Sequence, residues 1–434
     1  MSVEKLGVPT VGVVTEVFAP LAKMYTEMVG IPRYPIAYVP QPVSRIPAPK
    51  CREYIEGNDP ATGRPVIDEL VEALTKSKTE EQELTGLEER PVPRLLGPDT
   101  EENLHRLFLE NSMTDYLPIV LPTEERVAKM LKGTSHKPDE EIGDIRAGYA
   151  AVSVTVEKVA ANAVMAGARP EYMPVILAMA ASGVSCISTS TGSFSTTIVV
   201  NGPIRSEIGM NSGCGAMSPF NQANSVIGRV ATLMSINMGG GKPGETYWGT
   251  QGNNIDYNHV TFAENEEALP PGWTPFHTQK GFKPEESAVS FFRATGFWDW
   301  KHTYQFEKHK ALLHIANWVM PSGGLCMLLD PIVAESLVNE GYPTKESVSK
   351  YIYDNALITL EEFWQYHLIE NKRRDGQRGI EPYATWLKQP QDTLITRYRD
   401  PDAISIFTVG GRTNDFWKVG DWEYMGSFSI DEWR

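Results

Sequence analysis

Residues 10–16 read TVGVVTE, a β-branched apolar run that is typical of a buried strand. The following segment, 18–29, has apolar residues at helical spacing, and residues 35–40 (PIAYVP) predict a second short strand. Residues 65–76 (PVIDELVEALTK) are amphipathic, with proline at the favoured first position of a helix. The order strand, helix, strand, helix predicts an α/β fold whose first segment, residues 1–76, is Rossmann-like.

This first segment is incomplete by the standard of a doubly wound sheet. Residues 1–6 resemble the last turn of a helix that leads into the first strand, so the opening strands of the sheet are expected to be missing. A sheet edge without its neighbour tends to pair with another strand. We therefore expect another chain to complete the sheet.

The composition is that of an ordinary soluble globular protein, with 41% hydrophobic and 22% charged residues in 434. The net charge of −15 argues against a nucleic-acid partner, because phosphate binding needs clustered Lys and Arg. The four cysteines are far apart, which indicates a reducing compartment. Neither a signal peptide nor a membrane-spanning apolar stretch is recognisable, so we predict a cytoplasmic protein without membrane contact.

The rest of the chain predicts a linker and a larger domain. Residues 77–101 are charged and carry three prolines, as a linker or a surface strap does, and residues 102–434 form the main α/β (α+β) domain. Residues 156–171 and 228–245 each predict a helix that ends in small residues and is followed by a strand. This echo fits an internal duplication about a pseudo-twofold axis, or two unrelated helices that end at glycines.

A small-residue loop carries the first candidate site. Residues 211–229 read NSGCGAMSPFNQANSVIGR, and Ser218 and Pro219 predict the start of a helix. Backbone N–H groups at such a turn can bind an anion. Cys214 is a candidate catalytic nucleophile because a helix N-terminus lowers the pKa of a thiol, and the alternative is a tight turn with a buried cysteine. The candidate substrate-binding residues of this loop are Asn211, Ser212, Gly213, Asn221 and Arg229.

A second candidate site lies in residues 262–282 (FAENEEALPPGWTPFHTQKGF). Glu264 and Glu266 would face the same side of a strand, and His277 follows in the same stretch. Two carboxylates and a histidine can bind a divalent metal or act as acid and base. The alternative is a solvated acidic loop with a structural histidine.

Three further stretches carry weaker predictions. The hydroxyl-rich residues 188–192 offer donors for an oxyanion, and Asn201 follows at a turn that can face a cleft. The aromatic residues of the stretch 297–306 are expected to pack, and His302 and His309 would share one face if residues 298–310 were helical. Residues 405–414 resemble a strand end that opens into a ligand crevice, or form a plain turn.

Several motifs together resemble the UGSC family of (seleno)proteins over roughly residues 7–280. They are TDYLPIVLPTEERVAKML (114–131), TVEKVAANAVMAGARPEYMPVILA (155–178), NGPI (201–204), the 211–229 loop and FAENEE (262–267). The family is named for a Sec/Cys-Gly-Ser-Cys motif just upstream of a stretch like GVPTVGVVTEVF (7–18), and that motif is absent here. The resemblance implies the larger piece of a split member, whose smaller partner chain supplies the first strands and the Sec/Cys motif.

The resemblance leads to three hypotheses about function. The Sec/Cys-Gly-Ser-Cys motif is similar to those of glycine-reductase-type selenoproteins, which by analogy implies a heteromeric enzyme. Its thiol or selenol, on the partner chain, would cleave a carbon–heteroatom bond of a small molecule, reductively or by elimination. The second hypothesis is a redox-free lyase or hydratase that uses Glu264, Glu266 and His277, with or without a metal. The third is a non-catalytic scaffold subunit.

Overall fold

The computed structural model describes residues 8–28, 31, 33–43, 46–75, 93–146, 151–184, 191–301, 307–321, 323–366 and 369–434. The chain divides into two compact units. Unit 1 contains the described residues up to Thr100 together with Gly241–Trp248, and unit 2 contains the other described residues from Glu101 onward. Both units combine helices and strands, which confirms the α/β class.

Unit 1 is built around two parallel strands. Its elements are β1 (Gly12–Thr15), α1 (Ala19–Met28), β2 (Ile36–Val39), α2 (Ala48–Glu56) and α3 (Val66–Thr75). Strands β1 and β2 pair from Gly12 opposite Ile36 to Thr15 opposite Val39. The predicted order of strands and helices is observed, with α2 as an added helix. A small core of Ala37, Val39 and Val66 joins β2 to the helices.

Unit 2 carries most of the secondary structure. Its helices are α4 (Glu101–Glu110), α5 (Glu124–Met130), α6 (Val156–Ala166), α7 (Met173–Ala181), α8 (Ile204–Glu207), α9 (Gln222–Asn237), α10 (Phe276–Gln279), α11 (Lys308–Ala316), α12 (Pro331–Asn339), α13 (Lys345–Asn355), α14 (Leu360–Phe363), α15 (Glu370–Gln377) and α16 (Tyr383–Trp386). Its strands are β3 (Glu141–Arg146), β4 (Ala151–Thr155), β5 (Ser195–Asn201), β6 (Phe262–Ala263), β7 (Ala288–Lys301), β8 (Leu325–Leu329), β9 (Leu357–Thr359), β10 (Leu394–Thr396), β11 (Ile404–Thr408) and β12 (Phe416–Ser429).

A mixed six-stranded sheet organises unit 2, in the order β11-β8-β12-β7-β5-β6. The long strands β7 and β12 pair antiparallel at its centre, while β5 with β6 and β8 with β11 are parallel pairs at its two ends. Alternate residues enter different cores, as the pleat of a strand requires. Ile198 and Val200 pack with the helical core of α6, α7 and α9, whereas Val199 packs with Phe262 and Phe407 on the other face.

The structure also bears on the echo between the two helical stretches. Helices α6 and α9 contact each other, and the Nδ2 of Asn237 donates to the Oδ1 of Asn162 at 2.8 Å. The strands that follow them, β5 and β6, are parallel neighbours. This adjacency is what a duplicated unit requires, and the duplication stays a prediction.

The aromatic stretch begins as a strand, not as a helix. Trp298 lies in β7 opposite Val419 of β12, while residues 302–306, and with them His302, lie outside the described residues. His309 lies on α11, and its Nδ1 is 2.8 Å from the Oε2 of Glu340. Over the parts of the chain that the structure describes, no helix is both long enough and apolar enough to cross a membrane.

Candidate functional site

The ends of β5 and β6 bring the predicted carboxylates into a buried network. Glu264 directly follows β6, and its fully buried carboxylate receives four donors. Oε2 accepts from the Nδ2 of Asn201 and from the backbone N–H of Phe276, both at 2.7 Å. Oε1 accepts from the Nζ of Lys345 at 2.5 Å and from the N–H of Thr408 at 3.4 Å. These four donors satisfy the hydrogen-bonding capacity of a carboxylate that has no exposed surface.

Glu266 and Arg205 extend this network. Glu266 Oε1 accepts from the Nδ2 of Asn201 at 2.9 Å and from the N–H of Gly202 at 2.8 Å, and its Oε2 lies 3.1 Å from the Nη2 of Arg205. Arg205 is buried and also binds Glu267 at 2.9 Å, which lowers the pKa of Glu267. Both predicted carboxylates are therefore engaged by protein donors.

His277 lies beside this network with its ring fully buried. Its Nδ1 is 3.9 Å from the Oε1 of Glu266, and neither ring nitrogen has a hydrogen-bond partner. The structure thus brings Glu264, Glu266, His277 and Asn201 together. Among the described residues, no three His, Cys, Asp or Glu side chains are grouped as metal ligands.

The sequence analysis missed the two cations of this network. Arg205 follows the NGPI turn after β5, and Lys345 is the first residue of α13 after its Thr344 cap. The only signal for either is its position next to a strand end or a helix start. A cation that balances a buried carboxylate cannot be chosen from sequence when it comes from a distant element.

In the 211–229 loop the helix begins later than the sequence predicts. Helix α9 begins at Gln222, and its cap is Asn221, whose Oδ1 accepts from the N–H of Asn224 at 3.2 Å. The predicted cap at Ser218 is wrong. Asn221 has the extended backbone conformation of a cap, and its side chain accepts a hydrogen bond from a free N–H of the first turn. Cys214 lies seven residues before this cap, so it is not at the N-terminus of the helix, where the sequence analysis placed it.

Side chains within the loop hold Cys214 in place. The Oδ1 of Asn211 accepts from the N–H of Gly213 at 3.0 Å, and its Nδ2 donates to the backbone oxygen of Cys214 at 2.9 Å. The backbone oxygen of Ser212 accepts from the N–H of Gly410 at 2.8 Å. In this geometry Asn211 and Ser212 shape the turn and join it to the segment after β11.

A cavity of about 230 Å³ opens between these two segments. The exposed Cys214 lies on its wall, together with residues after the ends of β8 and β11. The lining includes Ala216, Met217, Ser218, Asp330, Gly410, Gly411, Thr413, Asn414, Trp417 and Lys418. Two stretches that the sequence singled out separately, 211–218 and 405–414, thus form one pocket. We name it the Cys214 pocket.

Gly411 and Asp330 fix the shape of the Cys214 pocket. A Cβ atom at Gly411 would lie 3.0 Å from the Cβ of Cys214, so a larger residue there would crowd Cys214. Asp330 caps α12 by accepting from the N–H of Val333 at 2.9 Å, and it also accepts from the N–H of Phe416. Burial raises the pKa of Asp330.

A second cavity of about 170 Å³ adjoins the Cys214 pocket through shared lining residues. Lys418 lines both cavities, contacts Asp299, and lies over the rings of Phe297 and Phe416 at 5.2 and 5.4 Å. Its ammonium group is therefore paired with a carboxylate, and Asp330 adds a second carboxylate to the lining of the Cys214 pocket.

The remaining predicted residues lie elsewhere. Arg229 binds Asp115 with its Nε at 2.7 Å and its Nη2 at 3.0 Å, and it also donates to the backbone oxygen of Pro118. Arg229 therefore ties α9 to the segment after α4 in this structure. Of the hydroxyl-rich stretch 188–192, residues 188–190 lie outside the described residues.

The carboxylate network and the Cys214 pocket are in direct contact. Asn265 donates from its backbone N–H to the backbone oxygen of Thr408 at 2.8 Å. Its Nδ2 donates to the backbone oxygen of Gly410 at 3.0 Å. Glu264 and Glu266 flank Asn265 on both sides. The network thus fixes the chain that leads from β11 into the Gly410–Gly411 turn.

Comparison with known proteins gives one family. Neither the curated proteins nor the solved structures include a match to this chain. The model of the UGSC family matches residues 1–75, which contain β1, β2 and the stretch GVPTVGVVTEVF, whereas the motifs quoted from 114–267 lie outside the matched segment. Residues 1–75 are therefore a UGSC-family segment, and the resemblance recognised from the sequence is confirmed for this segment.

Proposed function

We propose that the protein is a subunit of a heteromeric enzyme that cleaves a carbon–heteroatom bond of a small molecule bound in the Cys214 pocket. A thiol or selenol from a smaller partner chain is the attacking group. The observation that carries the proposal is an exposed thiol on the wall of a cavity formed at the ends of parallel strands. Ligands of α/β proteins commonly bind at this edge of a sheet.

The reductive form of the reaction balances with two thiols. The substrate R–X and two thiols give R–H, HX and a disulfide, so the carbon–heteroatom bond is reduced and the thiol pair loses two electrons. The partner thiol or selenol attacks the carbon and displaces X. Cys214 then attacks the sulfur or selenium of this thioether or selenoether, which forms the disulfide or selenenylsulfide and releases R with a proton as R–H. A dithiol reductant then restores both groups before the next turnover.

Unit 1 supports the proposal of a partner chain. Its sheet, as described, is a parallel pair of strands, an arrangement normally buried within a larger sheet. On α3 the side chains of Ile67, Val71 and Leu74 recur at helical spacing and are 45–54% exposed. Val13 of β1 is also 49% exposed. A partner that adds strands beside β1 and β2 would cover such apolar side chains.

The lyase hypothesis has one specific observation in its favour, namely the unpartnered ring nitrogens of His277 near Glu266. Against it, Glu264 is fully buried and both carboxylates already accept several hydrogen bonds. A general base must reach the proton that it removes. The geometry therefore supports a positioning role for Glu264 and Glu266 better than proton transfer.

Native mass spectrometry of the protein purified from its source, with metal analysis of the same sample, tests this proposal. A complex with a smaller chain that contains Cys or Sec is the expected result. A homo-oligomer with bound metal would overturn the proposal and favour the lyase. A complex whose activity survives thiol alkylation would favour the lyase. Activity that is intact in Cys214→Ala, Glu264→Gln and His277→Ala would assign this chain the scaffold role.

A further inference from the structure

We infer that a cavity on another side of unit 2 binds a small anion that carries an aromatic ring, such as an aryl carboxylate or aryl phosphate. The cavity has a volume of about 370 Å³, within the range of about 300–1,000 Å³ that is usual for small-molecule sites. Its polar lining is mainly cationic and its apolar lining mainly aromatic. It shares no lining residue with the Cys214 pocket, and the inference does not rest on the proposed function.

Arg397 is the central cation of this cavity. It is 8% exposed, and its Nη1 donates to the backbone oxygen of Val319 at 3.0 Å. Its Nε is buried without a hydrogen-bond partner, and among the described residues its guanidinium forms no ion pair with a carboxylate. A buried guanidinium without a counter-charge is unfavourable. A bound carboxylate or phosphate would supply the missing counter-charge.

Two lysines add to the positive charge. Lys280 lies over the ring of Tyr424 at 4.6 Å, and Lys372 lies over the ring of Tyr383 at 5.3 Å. Neither forms an ion pair within the described part of the chain, so both ammonium groups rest on aromatic faces. Such lysines keep their charge available for an anion.

The acidic residues of the lining compensate this charge only in part. They are Asp402 and Glu423, and the carboxylate of Glu423 is already 2.6 Å from Arg293 outside the cavity. Arg399, the fourth cation of the lining, pairs with Asp400 at 2.6 Å. The cavity therefore has a net positive charge centred on Arg397 and the two lysines.

An aromatic wall faces these cations. Trp386 packs edge-on against Phe363 and Tyr383, with ring centroids 5.2 and 5.5 Å apart, and all three line the cavity. Aromatic rings of a ligand stack favourably on such surfaces. The wall therefore selects a planar apolar group attached to the anion, in preference to a simple inorganic ion.

Isothermal titration calorimetry with defined probes tests the inference on the full chain. The probes are benzoate and phenyl phosphate, with benzyl alcohol as the uncharged ring and acetate and inorganic phosphate as anions without a ring. We expect the two aryl anions to bind at about millimolar Kd or tighter, and the tighter of the two identifies the anionic group. Equal affinity for the matched compounds that lack a ring or a charge, or no binding of either aryl anion, would overturn the inference.

Matched variants locate the site. Lys372→Ala and Trp386→Leu should each weaken the binding of the aryl anions about tenfold, the first through charge and the second through the ring. Lys350→Ala changes an exposed lysine of α13 that pairs with Asp354 outside the cavity, and it should leave Kd unchanged. Unchanged Kd values in both cavity variants would contradict the proposed site. Circular dichroism of each variant separates loss of binding from loss of fold.

Discussion

The carboxylate network and the Cys214 pocket touch each other and are built in opposite ways. In the network, Glu264 is fully buried, and each hydrogen bond to its carboxylate comes from a donor in a different part of unit 2. In the pocket, Cys214 is exposed and faces a cavity. Clustered carboxylates can therefore fix the conformation of a turn without binding a substrate themselves. The small-residue loop, in contrast, leaves the open space that a substrate needs.

Asn265 connects the carboxylate network to the Cys214 pocket. It lies between the two network carboxylates and donates to Gly410, and Gly411 then contacts Cys214. Rigid support of a reactive group is a general requirement of an active site. We therefore expect the network to act on the pocket through geometry and stability.

The largest expected effect is on stability, from Glu264→Gln. Loss of this carboxylate leaves Lys345 buried without its charge partner, which should lower the free energy of unfolding by about 3–5 kcal/mol. Urea denaturation measures it. Asp354→Asn breaks the exposed pair with Lys350 and should cost only about 0–1 kcal/mol.

A double variant shows whether the cost comes from the pair. Glu264→Gln combined with Lys345→Met should destabilise the protein by less than the sum of the single variants, because no unpaired charge is left. If Glu264→Gln costs no more than Asp354→Asn, the network does not hold the turn.

The next effect is a loss of stability in acid that depends on His259. Burial lowers the pKa of His259 from 6.5 to about 4 in the folded protein. Between these pH values the unfolded chain binds a proton that the folded chain does not, so stability falls as pH falls from 6.5 to 4. The loss amounts to about 3 kcal/mol, and below pH 4 this contribution changes no further.

His259→Gln removes this titration and should flatten the pH dependence of urea unfolding between pH 6.5 and 4. The ring of His259 lies near Thr232, and its neighbours Asn258 and Val260 line the smaller cavity. His105→Gln, at a partly exposed histidine of α4, serves as the control and should leave the slope unchanged. An equal slope in wild type and His259→Gln would show that His259 does not carry the acid sensitivity.

A smaller effect is expected at the contact between the pocket and the network. In Gly411→Ala the new methyl group meets Cys214, which should cost about 1–3 kcal/mol and slow alkylation of Cys214. Mass spectrometry after timed exposure to iodoacetamide measures the rate. A Cβ atom at Gly296 meets no atom within 4 Å, so Gly296→Ala should change neither quantity. Unaltered alkylation in Gly411→Ala would contradict the packing described here.

Local patterns predicted the parts of the fold that depend on local physics. Strand β1 lies within the predicted stretch TVGVVTE, and α3 begins directly after the proline that predicted its start. The long strands β7 and β12 were not predicted, because their pairing joins residues more than a hundred positions apart. Ser218 failed as a cap because Asn221 competes for the same role.

The candidate site was predictable in its members and not in its arrangement. The sequence singled out Cys214, the glycine turn after β11, and the carboxylates with His277. That Glu264 is neutralised by Lys345 depends on α13 reaching the end of β6. Such a contact follows from tertiary packing, which local spacing does not encode.

Disulfide mapping of the complex purified from its source tests the central claim most directly. The complex is oxidised with diamide, digested and analysed by mass spectrometry, with Cys51→Ala as the control because Cys51 is the other exposed cysteine of the described chain. The account predicts a disulfide or selenenylsulfide between Cys214 and the partner chain, present in Cys51→Ala and lost in Cys214→Ser. A partner whose thiols never join to Cys214 would contradict it.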